Sequence, residues 1–240
     1  MHRGPDASIL GTMTYTVRVY FDFVSPYSYL ALTRLDAFGA RYDVAWEPAP
    51  VFYAALLDAN SLIGPAETLV KRRYTLTDVL RAAELLGVPL VGPPAHPFRS
   101  LEALRVATLF ANDSRALDLS VALSTACWAE GRDLTDWRVL AAVVGRTGLD
   151  AAGLEARASA PEVKRALQER TAAAIGSGVF GVPTFELDGE LFWGHDRLEH
   201  LAARIDGRLP DLSARSAVLE ARPRGADRPG APILRERHGG

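Results

Sequence analysis

The sequence has 240 residues, 48% of them apolar, and a formal net charge of −2. A chain of this length can bury a sizeable core, either as one large domain or as two interleaved parts. The near-neutral charge argues against nucleic acid or an anionic membrane as a partner, and no apolar run is long enough to span a bilayer.

The start of the chain and its cysteine content indicate the compartment. Residues 1–14 contain no apolar segment of signal-peptide length, and we expect them to be a disordered extension of a cytoplasmic protein. The single cysteine, Cys127, can form no disulfide within the chain, which agrees with that location. Because Cys127 lies in an apolar helical pattern, we interpret it as a small core residue and not as a nucleophile.

The first predicted elements form a β-α-β unit over residues 15–52. Between Thr16 and Phe23, apolar and polar residues alternate with the period of a strand. A helix is predicted to begin near Pro26, since proline is tolerated in a first helical turn. Residues 42–47 have the composition of a second strand.

A long helical block is predicted over residues 53–175, where strand patterns are nearly absent. One of its helices is predicted to begin at residues 77–78 and to end at Gly87. The last one begins at Pro161 and ends at residues 176–178, and two more helices lie between them. The economical interpretation is an all-helical block.

Strand patterns return over residues 176–212, which are predicted to form a β-β-α unit. The dipeptide Asp188-Gly189 predicts a two-residue hairpin turn between two short strands. A closing helix follows, whose apolar face is formed by Leu198, Leu201, Ala202 and Ile205. Residues 213–240 are rich in Arg, Pro and Gly, and we expect this tail to be disordered.

This order of elements predicts an α/β protein with a thioredoxin-like fold that is split by an inserted all-helical domain. In that fold the strand–helix junction at Ser25 faces the loop that contains Val182 and Pro183. A cis peptide bond at Pro183 would leave the backbone of Val182 free to pair with an extended peptide. From the pattern alone, a plain turn ahead of a strand is an equally good interpretation.

The stretch SPYS, residues 25–28, would be a redox motif if its two serines were cysteines. A disulfide oxidoreductase is excluded because the chain has no cysteine pair. A free thiol, with a pKa of about 8.5, is mostly protonated at neutral pH. A hydroxyl at a helix N-terminus favours the thiolate, so Ser25 is a candidate for binding and activating an external thiol. The alternative is that Ser25 is only a helix N-cap.

Four stretches together carry a family resemblance: YFDFVSPYSYLAL, GPAETLVKRRYTLTDVLRAAELLGVP, PPAHPF and GVFGVPTFELDGELFWGHDRLEHL. They closely resemble the 2-hydroxychromene-2-carboxylate isomerases, which belong with the kappa-class glutathione transferases to the DsbA-like branch of the thioredoxin superfamily. The likeness covers residues 15–206. It implies glutathione as the bound thiol, a small aromatic carboxylate as the substrate, and a homodimer.

The resemblance also implies roles for individual residues. Ser25 would hydrogen-bond the glutathione sulfur as the catalytic residue. Val182, ahead of a cis Pro183, would pair with the cysteinyl residue of glutathione. Asp196 would receive the γ-glutamyl amine, and His195 would meet the γ-glutamyl carboxylate through its backbone N–H or its side chain.

Further positions have more than one interpretation. Lys71 matches a lysine that faces glutathione and substrate in the family, although a solvated charge is the usual meaning of a basic cluster. Tyr27 is a candidate for the substrate slot, although aromatic residues in a first helix are more often core. The family's asparagine is replaced by Leu62, and Asn60 is offset by two, which leaves one contact unassigned. We interpret His96 as structural.

Three functions remain open. The first is an isomerase in which the glutathione thiolate adds to a conjugated double bond, the bond rotates, and elimination returns the thiol. The second is a kappa-like glutathione transferase or peroxidase, and the third is a non-catalytic thioredoxin-like binding module. No His/Cys cluster has metal spacing, and SPYS lacks the G-x-S-x-G motif of hydrolases.

Overall fold

A four-stranded mixed sheet forms the framework of the computed structural model, which describes residues 14–223 and Gly225. Its strands are β1 (Tyr15–Phe21), β2 (Val44–Pro50), β3 (Thr184–Leu187) and β4 (Glu190–Trp193), in the order β2-β1-β3-β4. β1 is parallel to β2 and antiparallel to β3, and β3 is antiparallel to β4. This is the predicted thioredoxin-like sheet.

The helices occupy the connections between these strands and the C-terminal segment. In the described residues they are α1 (Pro26–Leu32), α2 (Leu35–Tyr42), α3 (Tyr53–Ala59), α4 (Leu69–Leu86), α5 (Leu101–Leu109), α6 (Ala116–Trp128), α7 (Trp137–Arg146), α8 (Leu154–Ala158), α9 (Pro161–Gly176), α10 (Leu198–Ile205) and α11 (Ser213–Glu220). Short 3-10 turns lie at Pro65–Glu67 and His195–Arg197. No helix among them combines the length and the apolar character that crossing a membrane requires.

Both faces of the sheet are covered. On one face, Trp46 of β2 contacts Phe38 of α2 and Phe185 of β3, and its indole N–H donates to the carbonyl of Leu35. On the other face, Tyr20 packs in a cluster with Ala174 of α9 and with buried residues of α3 and β2. The helices between β2 and β3 therefore complete the core of the sheet and do not stand apart from it.

The described residues up to Ala202 form one compact unit that contains the sheet and α3 to α9, and the residues from Ala203 onwards form a second unit. The sequence predicts a thioredoxin-like part (15–52 and 176–212) and an inserted helical domain (53–175). This division describes the order of elements along the chain and stays a prediction, because both parts lie, up to Ala202, in the first compact unit. Within the first unit the two parts share a hydrophobic core.

The two strands of the β-α-β unit end at other residues than predicted. β1 ends at Phe21, and the chain then turns, although Phe23 is fully buried beyond it. β2 extends to Pro50, whereas the prediction ended before Pro48. Proline is tolerated there because β2 is an edge strand of the sheet.

Two predictions for helical segments were wrong. α4 begins at Leu69 and not at residues 77–78, so Asp78 lies inside the helix and caps nothing. Residues 213–220 form α11, although disorder was expected from residue 213 onwards. The disorder was predicted from the high Arg, Pro and Gly content of the whole tail. The helical stretch SARSAVLE, however, contains neither proline nor glycine, the two residues least favourable in a helix. Residues 1–13, 224 and 226–240, and the disorder predicted for them, lie outside the described residues.

Candidate active site

A cavity of about 600 Å³ lies at the C-terminal end of β1. Its wall is built by the β1–α1 junction, the start of α3, the 3-10 turn Pro65–Glu67, one side of α4, residues 96–100, and the segments that hold Val182-Pro183 and residues 193–197. The residues that line it therefore come from both the sheet part and the helical block.

Ser25 occupies the N-cap of α1 and lines this cavity. Its backbone is extended, and its Oγ accepts the backbone N–H of Ser28 at 3.2 Å. Pro26 follows as the first helical residue, as predicted. The Ser25 hydroxyl donates towards the carbonyl oxygen of Val182 at 3.5 Å, so the two segments that the sequence predicted to face each other do so.

The loop ahead of β3 presents the backbone of Val182 at the cavity. The Val182–Pro183 peptide bond is cis, and both residues line the cavity. The carbonyl of Pro183 accepts the N–H of Gly194 at 2.9 Å, which ties the loop to the end of β4. Within the described part of the chain, the N–H of Val182 donates to no acceptor.

Tyr27 lines the cavity between a carboxylate and an imidazole. Its hydroxyl donates to Oδ2 of Asp78 at 2.7 Å, and its ring stacks on His195 with centroids 5.3 Å apart and planes inclined by 11°. Burial, together with the Asp78 carboxylate, raises the pKa of the Tyr27 phenol well above its ordinary range. The Tyr27 hydroxyl therefore stays protonated, and it donates its hydrogen bond to Asp78 and not to a ligand in the cavity.

His195 and Asp196 follow β4 in the 3-10 turn His195–Arg197. The carbonyl of His195 accepts a hydrogen bond from Nη1 of Arg34 at 3.1 Å, which fixes the turn against α1 and α2. Burial lowers the pKa of the His195 imidazole, whose Nδ1 is buried without a partner. The Asp196 side chain is 56% exposed and lies 3.1 Å from Nη2 of Arg197.

Gly194 allows the chain to enter this turn. Its φ of 120° lies in the region that favours glycine, and a Cβ there would lie 2.7 Å from Oδ1 of Asp196. A larger residue would displace the carboxylate from its place at the cavity.

Lys71 does not join the other predicted site residues. It lies exposed in the first turn of α4 and does not line the cavity. Leu62, which replaces the family's asparagine, is 46% exposed and is not part of the wall either. Asn60 donates its amide to the carbonyl of Leu56 at 2.8 Å at the end of α3. None of the three therefore supplies the expected polar contact in the cavity.

Asp22, to which the sequence assigned no function, is a fully buried carboxylate at the cavity. Its oxygens accept the N–H groups of Val24 at 3.0 Å and of Tyr53 at 2.9 Å. Burial raises the pKa of Asp22, and hydrogen bonds from Ser100, Tyr53 and Val24 offset this in part. The carboxylate thus holds the β1–α1 junction, the start of α3 and the start of α5 together.

His96 lines the cavity and supports the same junction. Its Nε2 donates to the carbonyl of Val24 at 3.0 Å, and its ring meets Trp128 edge to face. The indole N–H of Trp128 donates to the carbonyl of Phe23 at 2.9 Å. Burial lowers the pKa of His96, so the neutral form is favoured. These contacts agree with the structural interpretation of His96.

Sequence reasoning missed four charged residues of the cavity, namely Glu67, Asp78, Arg99 and Arg197. Asp78 was interpreted as the start of a helix. Arg99 directly follows the stretch PPAHPF, which carries part of the family resemblance, so its position was a usable signal. In the described ranges, no group of three or more His, Cys, Asp or Glu side chains is arranged to hold a metal ion.

The chain is similar to known proteins over most of its length. The DSBA-like thioredoxin domain family matches residues 16–206. A 2-hydroxychromene-2-carboxylate isomerase from Pseudomonas putida is 34% identical over 205 residues, which cover 82% of this chain and 99% of that protein. Glutathione S-transferase kappa 1 from Homo sapiens is 26% identical over 213 residues, covering 80% of this chain and 92% of that one.

A solved structure gives the same result. The structure of a 2-hydroxychromene-2-carboxylate isomerase matches with a TM-score of 0.74 and 32% identity, and it covers 85% of this chain and 98% of that one. The helical block and the four motifs described above all lie within the residues 16–206 that the family model matches. The chain therefore belongs to the DSBA-like thioredoxin family and, within it, to the family of the 2-hydroxychromene-2-carboxylate isomerases.

Proposed function

We propose that the protein is a glutathione-dependent isomerase that acts on a 2-hydroxychromene-2-carboxylate or on its ring-opened benzylidenepyruvate form. The observation that carries the proposal is the pairing of the Ser25 hydroxyl with the Val182 carbonyl at a cavity of about 600 Å³. A serine at this place cannot exchange disulfides, but it can bind the sulfur of another molecule. The family relationship supports an isomerase.

Glutathione fits the residues that line the cavity. The volume lies within the range of about 300–1,000 Å³ that is usual for small-molecule sites. The unpaired N–H of Val182 is oriented by the neighbouring Pro183 for an extended peptide, and the partly exposed Asp196 carboxylate is suited to an amine. We assign Ser25, Val182, His195 and Asp196 to the binding of glutathione.

Ser25 is the residue to which we assign the chemistry. Bound glutathione supplies a thiolate that adds to a conjugated double bond and leaves again after the bond has rotated. The Ser25 hydroxyl donates a charge-assisted hydrogen bond to the sulfur, which lowers the pKa of the thiol. The 3.5 Å contact of that hydroxyl with Val182 is at the limit of a hydrogen bond, so redirecting the proton costs little.

Tyr27 and His195 provide a flat surface for the substrate. Their stacked rings line the cavity, and the Tyr27 hydroxyl is held by Asp78. The ring of Tyr27 and not its hydroxyl is therefore the part available to a planar aromatic substrate. Lys71 stays a predicted ligand of glutathione and substrate, but its exposed position outside the cavity wall gives that prediction no support.

One assay tests the proposed function against its alternatives. The purified protein is given the chromene carboxylate with and without glutathione, and both isomerisation and total thiol are followed. We expect isomerisation only with glutathione, at constant total thiol. Isomerisation at full rate without glutathione, or no isomerisation at all, would overturn the proposal.

The similarity to the kappa-class transferase favours a second candidate function, conjugation of an electrophile or reduction of a peroxide. In that case total thiol falls as the reaction proceeds. A non-catalytic binding module, the third candidate, predicts no glutathione-dependent thiolate absorbance and no difference between wild type and Ser25→Ala.

We also propose that the protein is a cytoplasmic homodimer. Helix α4 and the loop before it expose apolar side chains, among them Ile63, Leu69, Val70, Tyr74 and Leu85. Exposed apolar clusters of this kind are typical of protein interfaces, and a second copy is the partner that the family implies. Sedimentation equilibrium should give twice the chain mass of 25.9 kDa for the wild type, and a monomer for Val70→Glu.

A further inference from the structure

The cavity wall carries more carboxylates than cations. Four acidic residues line it, namely Asp22, Glu67, Asp78 and Asp196, whereas Arg99 and Arg197 are the only lysines or arginines of the described chain that do so. Glutathione and the proposed substrate are both carboxylates. A carboxylate bound among acidic residues needs a cation within a few ångströms to offset the repulsion.

Both terminal nitrogens of the Arg197 guanidinium already have partners, so none of its edges presents two free nitrogens. Its Nη2 lies 3.1 Å from Oδ2 of Asp196, and its Nη1 lies 3.3 Å from Nε2 of His200. Lys71 is exposed outside the wall. The cation that remains is Arg99, which stands in the loop directly before α5.

Arg99 is held along one edge and open along the others. Its Nε donates to Oε2 of Glu102 at 3.2 Å, and its Nη2 donates to Oε1 of the same carboxylate. The Glu102 side chain is 7% exposed, whereas that of Arg99 is 70% exposed. A buried carboxylate therefore orients the guanidinium, and three of its five N–H groups have no acceptor in the described chain.

We propose that Arg99 is the carboxylate-binding residue of this cavity, in place of Lys71, which the family resemblance predicts to face glutathione and substrate. The inference rests on the proposed function, because the carboxylate belongs either to the glycyl end of glutathione or to the aromatic substrate. Both present the same planar anion, which a guanidinium edge can bind through two parallel hydrogen bonds. Because Glu102 fixes the guanidinium beforehand, little side-chain entropy is lost on binding.

The test uses calorimetry on the full chain with two probes, glutathione and glutathione amide, in which a neutral amide replaces the glycyl carboxylate. Wild type, Arg99→Gln and Arg99→Lys are compared, and KM and kcat for the chromene carboxylate are measured on the same samples. The control is Arg138→Gln, because Arg138 forms a similar exposed pair with Asp136 away from the cavity. Since Arg99→Gln leaves Glu102 buried and unpaired, the double variant Arg99→Gln/Glu102→Gln is measured beside it.

Two results support the proposal and identify the carboxylate. If Arg99 binds the glycyl end, Arg99→Gln weakens glutathione binding by about tenfold, the loss expected for one charge-assisted contact, and leaves the binding of glutathione amide unchanged. If it binds the substrate, glutathione binding is unchanged, and KM rises by about tenfold with kcat nearly constant. In both cases Arg99→Lys should lose less than Arg99→Gln, and the double variant should behave like Arg99→Gln.

The proposal is overturned if glutathione binding and KM both stay at wild-type values in Arg99→Gln and in the double variant. It is also overturned if Lys71→Gln shows the losses and Arg99→Gln does not. These results leave the proposed function intact. A wild type that takes up no glutathione in the calorimeter would instead refute the proposed function itself.

Discussion

The hydroxyl of Tyr27 on α1 donates a 2.7 Å hydrogen bond to the carboxylate of Asp78 on α4. This contact joins the helix that begins at Ser25 to the longest helix of the helical block. It also explains why an aspartate stands in the interior of α4, where it caps nothing. The contact therefore connects α4, which forms part of the cavity wall, with α1, whose N-cap is Ser25, the residue to which we assign the chemistry.

Tyr27→Phe should lower the free energy of unfolding by about 1–3 kcal/mol, because the partly buried Asp78 carboxylate then loses its donor. Urea unfolding of Tyr27→Phe, Asp78→Ala and the double variant measures the coupling between the two side chains, which should be about 1 kcal/mol or more. Tyr42→Phe is the matched control, because the Tyr42 hydroxyl on α2 has no hydrogen-bond partner in the described chain, and it should unfold like the wild type. Additive effects of the two single variants would contradict the prediction.

Ser25→Ala should retain glutathione binding but lose turnover by about 10- to 100-fold at neutral pH, the loss expected for one charge-assisted hydrogen bond to a thiolate. The pKa of the bound thiol should rise towards its free value, so part of the lost activity returns at high pH. The ultraviolet absorbance of the thiolate, titrated against pH, measures this shift directly.

The control for Ser25 is Ser28→Ala. Ser28 lies one turn further along α1, is fully buried, and its hydroxyl has no hydrogen-bond partner. Removing that hydroxyl should leave both the thiolate titration and the turnover unchanged. Equal losses in the two variants would show that the helix start, and not the Ser25 hydroxyl, is what matters.

The motif-bearing parts of the fold could be predicted from the sequence because their signals are local. Alternation before SPYS indicated β1, and Asp188-Gly189 indicated the hairpin, whose two turn residues have φ values of 52° and 81°. The boundaries of β1 and β2 were wrong because tertiary contacts decide them. An edge position makes Pro48 acceptable in β2, and no local pattern reports an edge position.

The cavity could be predicted only where it is built from family motifs. Ser25, Val182 and Asp196 line the same cavity, as expected, whereas Lys71 does not. Lys71 and Asp78 lie on one helix, and an error of eight residues in its start obscured which of its faces meets α1. Arg99 was missed because a single arginine before a helix has no distinctive pattern of its own, and only its place directly after PPAHPF indicated it.

Cys127 should react slowly with a thiol reagent in the folded protein. The side chain is fully buried on α6, and burial raises the pKa of its thiol. We expect reaction with a disulfide reagent to be more than about 100-fold slower than in denaturant, because it requires opening of the core. As a control, Cys127→Ala combined with Ser177→Cys places the thiol at an exposed position and should react at once. Fast labelling of native Cys127 would contradict its assignment to the core.

Asp22 should make the stability of the protein depend on pH in an unusual direction. The folded state raises the pKa of this carboxyl above its ordinary value of 3.8, so the folded chain binds the proton more tightly than the unfolded chain does. The contribution of Asp22 is therefore most favourable at low pH, and it is lost as the pH rises from about 4 through the raised pKa. Asp22→Asn cannot ionise. Its amide oxygen can accept one of the two backbone N–H groups that Asp22 binds, but its amide nitrogen cannot accept the other.

The free energy of unfolding of wild type minus that of Asp22→Asn should consequently fall as the pH is raised, and should level off above the folded pKa. Urea unfolding of both proteins at intervals between pH 4 and 8 gives this difference. A difference that does not fall between pH 4 and 8 would mean that the hydrogen bonds from Ser100, Tyr53 and Val24 outweigh burial and hold the carboxylate ionised. Asp22 would then act as a charged anchor for the β1–α1 junction, and the thiolate at Ser25 would form beside a second negative charge.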